Sequence, residues 1–69
     1  MKTVDARGLS CPEPVLLSKQ AAQEGEFPFC VLVDDITPFE NIQRFAANNG
    51  YTIDAKDKGN NEYEIIFTK

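Results

Sequence analysis

Histidine and tryptophan are missing from this sequence, and cysteine occurs only twice. Without histidine the chain has no side chain whose ordinary pKa suits a general base near neutral pH, and it lacks the commonest metal ligand. Two cysteines cannot complete a four-ligand zinc site, and they close at most one bridge, far below the density of a secreted disulfide scaffold. They are not spaced C-x-x-C, so no thioredoxin-like redox pair is expected. No apolar run is long enough to cross a bilayer, and Met1-Lys2-Thr3-Val4-Asp5 has no signal-peptide core. A reduced, cytoplasmic protein is the expectation. Basic residues are the minority, seven against eleven acidic, for a net charge of −4. That balance argues against an electrostatic grip on nucleic acid, which needs a clustered basic face. A Ser-His-Asp set, a Gly-rich phosphate loop and paired catalytic carboxylates are also missing.

What remains is a 69-residue chain that is 42% hydrophobic, with five Phe and two Tyr. That is enough for one small domain (residues 1–69) burying roughly 60% of its unfolded surface. Lys2 to Ala6 alternates, with Val4 and Ala6 on one side, as a short strand does. A helix is expected from Cys11 or Pro12 to Glu24, stopped by Gly25. Val15, Leu16, Leu17, Ala21 and Ala22 supply its apolar face, and Ser18, Lys19, Gln20 and Gln23 its polar one. Phe27 to Val33 is almost continuously apolar and reads as a central strand, parallel to the first. Asp34-Asp35 ends it as a solvated turn. Thr37-Pro38-Phe39-Glu40 reads as a capping box with Pro38 at the first helical position. Phe39, Ile42, Phe45 and Ala46 follow at helical spacing until Asn48-Asn49-Gly50. Tyr51 to Ala55 alternates, Lys58 to Asn61 is turn chemistry, and Tyr63, Ile65 and Phe67 alternate again, giving an antiparallel hairpin. The expected fold is α+β: a two-layer α/β sandwich in the order β-α-β-α-β-β, with a mixed four-stranded sheet and two helices on one face.

Chemistry concentrates in Asp5-Ala6-Arg7-Gly8-Leu9-Ser10-Cys11-Pro12-Glu13-Pro14, where the first strand hands over to the first helix. The first N–H groups of a helix have no intrahelical partner, and the peptide dipoles leave partial positive charge there. A thiol at that end has its thiolate, the reactive form, stabilised. Two starts compete: Ser10-x-x-Glu13 as a capping box, or Cys11 as the cap with Pro12 in first place. Either puts Cys11 in the first turn. Cys11 read blandly is a small apolar plug; read chemically it is an activated thiol. Arg7 could lower the Cys11 pKa, or donate to a partner's carboxylate, or simply pair with Asp5. Gly8 lets the chain turn off the strand, Pro12 and Pro14 fix how the sulfur is presented, and Glu13 opposes activation unless the cap holds it. Cys30, inside the apolar strand, reads as inert core packing.

The run D-A-R-G-L-S-C-P-E-P resembles the signature of the TusA/SirA/YedF family of small sulfur-carrier proteins: an acidic residue, Arg-Gly, then Cys-Pro-x-Pro. The second half, with Val33-Asp34-Asp35, Asn41, Arg44, Phe45, Ala46, Gly50 and Tyr51, resembles the YedF-type branch more than the tRNA-thiolation branch. The resemblance implies the same two-layer fold, with Cys11 as the sulfur-carrying cysteine and Asp5, Arg7, Gly8, Pro12, Glu13 and Pro14 binding or orienting around it. It implies a pyridoxal-dependent cysteine desulfurase as donor, a sulfur-relay protein as acceptor, and no tight cofactor or metal on the carrier itself. YedF-type proteins commonly carry a further C-terminal domain, so a stand-alone carrier and an N-terminal domain are both compatible with it.

A nucleophilic cysteine without a base suits transfer by thiol exchange better than hydrolysis. The expected role is therefore a sulfurtransferase-like carrier that holds sulfane sulfur as a persulfide on Cys11. A non-catalytic interaction or regulatory module and, less favoured by charge, an RNA-binding domain are the alternatives.

Overall fold

Alternation along the apolar run decides how the sheet faces. Successive strand side chains point to opposite sides, so Phe29, Val31 and Val33 share one face while Cys30 and Leu32 share the other. The computed structural model describes residues 2–9, 13–25 and 27–68. In it the chain runs β1 (Lys2–Asp5), α1 (Glu13–Gln23), β2 (Phe29–Val33), α2 (Ile36–Asn48), β3 (Thr52–Gly59) and β4 (Glu62–Thr68). The four strands form one sheet in the order β1-β2-β4-β3. β1 pairs parallel to β2, with Val4 beside Val31. β4 runs antiparallel to both neighbours, with Val31 beside Ile65 and Phe29 beside Phe67 on one side and Ile53 beside Phe67 on the other.

One buried cluster joins this face to both helices. Phe29, Val31, Val33, Ile65 and Phe67 pack with Ala21 and Ala22 of α1 and with Ile42 and Ala46 of α2. Both helices therefore cover the same face, as expected. Phe29 and Phe67 stack with ring centroids 4.6 Å apart, and Phe39 stacks on Tyr63 at 4.4 Å. Burying one such phenyl ring stabilises the fold by about 1.5–3 kcal/mol. No helix among the described residues is long and apolar enough to cross a membrane.

Three local readings need correction. α2 starts two residues earlier than the capping-box reading: Asp35 is its N-cap, accepting from the Thr37 N–H at 3.4 Å. Pro38 is consequently the third helical residue and buried. The first turn's N–H groups have no intrahelical acceptor, so a proline there removes no bond. On α1 the roles of Leu16 and Ser18 are reversed, for Leu16 is 55% exposed and Ser18 fully buried. Its hydroxyl donates to the Pro14 carbonyl at 2.9 Å, so burial leaves no unmet polar group. The hairpin strands are longer than the alternation showed, because β3 continues to Gly59 through a register shift between Asp57 and Gly59. Asn60 and Asn61 make the reversal, both with positive φ (54° and 59°). Asparagine tolerates that region, and a two-residue hairpin of matching twist requires it.

Candidate functional site

Because β1 and β2 are parallel and each is followed by a helix, α1 and α2 both begin at the carboxyl ends of these strands. The motif stretch lies at that end. Ser10, Cys11 and Pro12 are outside the described residues, so what can be described is the approach from β1 and the helix that follows. The Ala6 N–H donates to the Leu32 carbonyl at 2.8 Å, extending the β1–β2 ladder by one residue. Ala6 is buried, at 1% exposure. The chain then reverses, with the Leu9 N–H donating to the Ala6 carbonyl at 3.3 Å. Gly8 holds the third position of this turn with φ +79°. That is where a type II turn demands positive φ, so glycine is needed for the backbone angle.

Arg7 and Asp5 close the turn from outside. The Arg7 backbone N–H donates to Asp5 Oδ1 at 3.1 Å, and its Nε and Nη2 reach Oδ1 and Oδ2, each at 2.9 Å. This is the bidentate fork that guanidinium and carboxylate geometry favours. The Arg7 side-chain hydrogen bonds hold the Asp5 carboxyl down to about 2, with the backbone bond second in effect. Asp5 in turn raises the Arg7 pKa, again first through the side-chain hydrogen bond. Glu62, from the hairpin tip, comes within 3.9 Å of Arg7 Nη1. Of the roles open to Arg7, the pairing with Asp5 is made; its relation to Cys11 lies outside the described residues.

Asp34 is the site residue that sequence reasoning missed. Its Oδ2 accepts from the Gly8 N–H at 2.9 Å, tying the turn to the end of β2. Asp34-Asp35 is therefore more than a solvated turn: Asp34 braces the neighbouring junction while Asp35 caps α2. On the helix side, Glu13 is exposed in the first turn of α1 and Pro14 is fully buried. Among the described residues no group of three or more potential ligands could hold a metal ion.

The profile of the family described as "Sulfurtransferase TusA" matches residues 2–69. The chain belongs to the TusA family. A Methanocaldococcus jannaschii protein named as a candidate sulfur carrier is 41% identical over 71 residues, covering 100% of this chain and 95% of that one. The crystal structure of a SirA-like protein from Desulfitobacterium hafniense superposes with a TM-score of 0.87 at 34% identity, covering 97% of this chain and 95% of the other. These matches establish the TusA/SirA family and its α+β fold; the YedF-type branch is a finer division than they draw.

Within this TusA-family fold, Cys30 has an environment of its own. It is a free thiol, 2% exposed, on the sheet face turned away from the helices. It is buried packing, as the sequence reading had it, but outside the cluster shared with the helices, and its Sγ donates to Glu64 Oε2 at 3.0 Å. Burial pushes its pKa up to about 12, with the Glu64 hydrogen bond and charge adding to the effect. Inertness at neutral pH is the expected behaviour, since the thiolate is the nucleophile.

Proposed function

We propose that this chain is a sulfur carrier that accepts sulfane sulfur as a persulfide on Cys11 and passes it to an acceptor protein. The observation that carries the reading is the motif itself. Asp5 to Pro14 reproduces the family signature, within a family match that runs the length of residues 2–69. What surrounds that stretch supports the reading. It leaves a braced turn at the carboxyl end of β1 and enters a helix whose first described residue is Glu13. A helix N-terminus favours thiolate over thiol.

The transfer needs no oxidant and no base of the carrier's own. The Cys11 thiolate attacks the terminal sulfur of a donor persulfide; a new S–S bond forms at Cys11, the donor's S–S bond breaks, and the donor cysteine leaves as thiolate. In the second step an acceptor thiolate attacks the outer sulfur and Cys11 is the leaving group. A pyridoxal-dependent cysteine desulfurase fits as donor, because such an enzyme generates a persulfide of the kind this transfer consumes. Arg7 and Asp5 shape the approach, Gly8 supplies the turn, and Pro12, Glu13 and Pro14 set the entry into the helix.

RNA binding is disfavoured by the sheet. The RRM-type mode, in which bases stack on aromatic side chains of an open sheet face, needs aromatics there. Here Phe29, Tyr63 and Phe67 face the helices, and the open face carries Asp5, Asp54 and Glu64 against Lys56.

Intact mass of the wild type, Cys11→Ser and Cys30→Ser after incubation with a cysteine desulfurase and cysteine tests the proposal. A reducible gain of one sulfur on the wild type and Cys30→Ser, and none on Cys11→Ser, is expected. No gain on any of them would leave the interaction module as the better reading, and a gain on Cys11→Ser would move the site to Cys30.

A further inference from the structure

We propose that Asp34 is a positioning residue for the thiol of Cys11, acting through its carboxylate's hold on the Gly8 amide. This rests on the sulfur-carrier reading of Cys11 and adds to it a residue outside the motif. The main-chain ladder between β1 and β2 ends where the Ala6 N–H meets the Leu32 carbonyl. Two residues further along each strand the Asp34 side chain takes over, accepting from the Gly8 N–H at 2.9 Å. Its own main chain cannot serve, because β2 ends at Val33 and the chain turns into α2 behind the Asp35 cap. Gly8 is three residues before Cys11 in the chain. Whatever fixes Gly8 fixes the direction in which the chain sets out toward that thiol.

The neighbouring charges explain why an acid suits this position. The Arg7 guanidinium is adjacent, committed to Asp5 on one side and facing Glu62 on the other, and the Asp34 charge adds to its field. A charge-assisted hydrogen bond is also stronger than a neutral one. Geometry and charge make opposite predictions for the thiol. Removing a nearby negative charge lowers a thiol's pKa, whereas on the sulfur-carrier reading a drifting turn carries the Cys11 thiolate away from the helix N-terminus and raises it.

The experiment is the pH profile of iodoacetamide alkylation at Cys11, followed by peptide mass, in wild type, Asp34→Asn and Asp34→Ala. Asparagine keeps an acceptor oxygen without the charge. Asp34→Ala should raise the apparent pKa by about half a unit, which lowers the thiolate fraction on the order of threefold below the pKa. Asp34→Asn should match the wild type or react faster. Equal profiles in wild type and Asp34→Ala, or a shared fall in pKa in both variants, would overturn the proposal. The Gly8 amide proton of the wild type supplies a readout that requires no variant to fold: its chemical shift should follow the protonation of Asp34, and an amide that ignores that titration also overturns it. A wild-type Cys11 that alkylates like an ordinary thiol and takes up no sulfur overturns the carrier reading. The Gly8–Asp34 contact is then still decided by the amide titration.

Discussion

The two β→α junctions of this molecule lie side by side and are built differently. The second, between β2 and α2, is two residues long: Asp34 and Asp35 leave the strand and Asp35 caps the helix at once. The first, between β1 and α1, is longer: Ala6 to Leu9 already lie outside strand and helix, with a glycine turn at Gly8 and the Asp5–Arg7 fork beside it. The short junction is economical and belongs to folding; the sequence of the long one carries the motif. Neither is independent of the other, because Asp34 at the short junction holds Gly8 at the long one.

Removing sulfur chemistry from the long junction should have the largest effect. Cys11→Ser should lose all detectable sulfur uptake by intact mass, while Cys30→Ser keeps it. Sulfur uptake by Cys11→Ser would dissolve the distinction between the two regions. Next in size is the cap of the short junction. Asp35→Ala should cost about 1 kcal/mol, read as a fall of roughly 4–8 °C in melting temperature for a domain of this size. Sulfur loading should be intact in the folded protein, and a loading defect without a stability loss would put Asp35 in the site instead.

Cys30, four residues before Asp34 of the short junction, gives a smaller effect, at alkaline pH. Its folded pKa of about 12 exceeds that of a free thiol. The unfolded chain therefore releases this proton first, and stability falls as pH rises above roughly 8.5. Alkaline denaturation should be shallower in Cys30→Ala than in the wild type; parallel curves would mean that the thiol is not shielded. The smallest effect belongs to the Asp5–Arg7 fork. Asp5 is depressed to about 2, so its contribution is present above the unfolded carboxyl pKa and disappears as pH falls through about 2. Both partners are about half exposed, at 53% and 47%, and salt screens such a pair. The side-chain carboxyl carbon of Asp5, followed by NMR, should show the low midpoint, and a midpoint near 4 would mean that the fork is not held in solution.

Order and type of the elements were legible because each rests on contacts within a few residues. Phe39, Ile42, Phe45 and Ala46 announce a helix by spacing alone, and Tyr63, Ile65 and Phe67 announce a strand. The start of α2 was misread because Asp35 and Thr37 are both good caps, and the proline that favoured Thr37 is tolerated anywhere in the first turn. The face of Cys30 was hidden by a run apolar on both sides, where alternation carries no contrast. Which face is open depends on where the helices land, a tertiary matter. The hold of Asp34 on Gly8 spans 26 residues and exists only once β1 and β2 align with Asp5 beside Leu32. The motif around Cys11 could be recognised as a string; its brace could not, since the brace is not part of the string.

The place of β1 in the sheet bears on how the molecule breathes. β1 is a four-residue edge strand bonded on one side to β2, whereas β2, β4 and β3 form an antiparallel set closed over by α2. The strand that leads to the motif can therefore peel away while the rest keeps its hydrogen bonds, and proteins open first along such seams. Amides of residues 2–9 should exchange with solvent earlier than those of β2 and β4. Beyond the main-chain ladder, the Asp34–Gly8 contact is a further tie that must break before that strand end can leave β2.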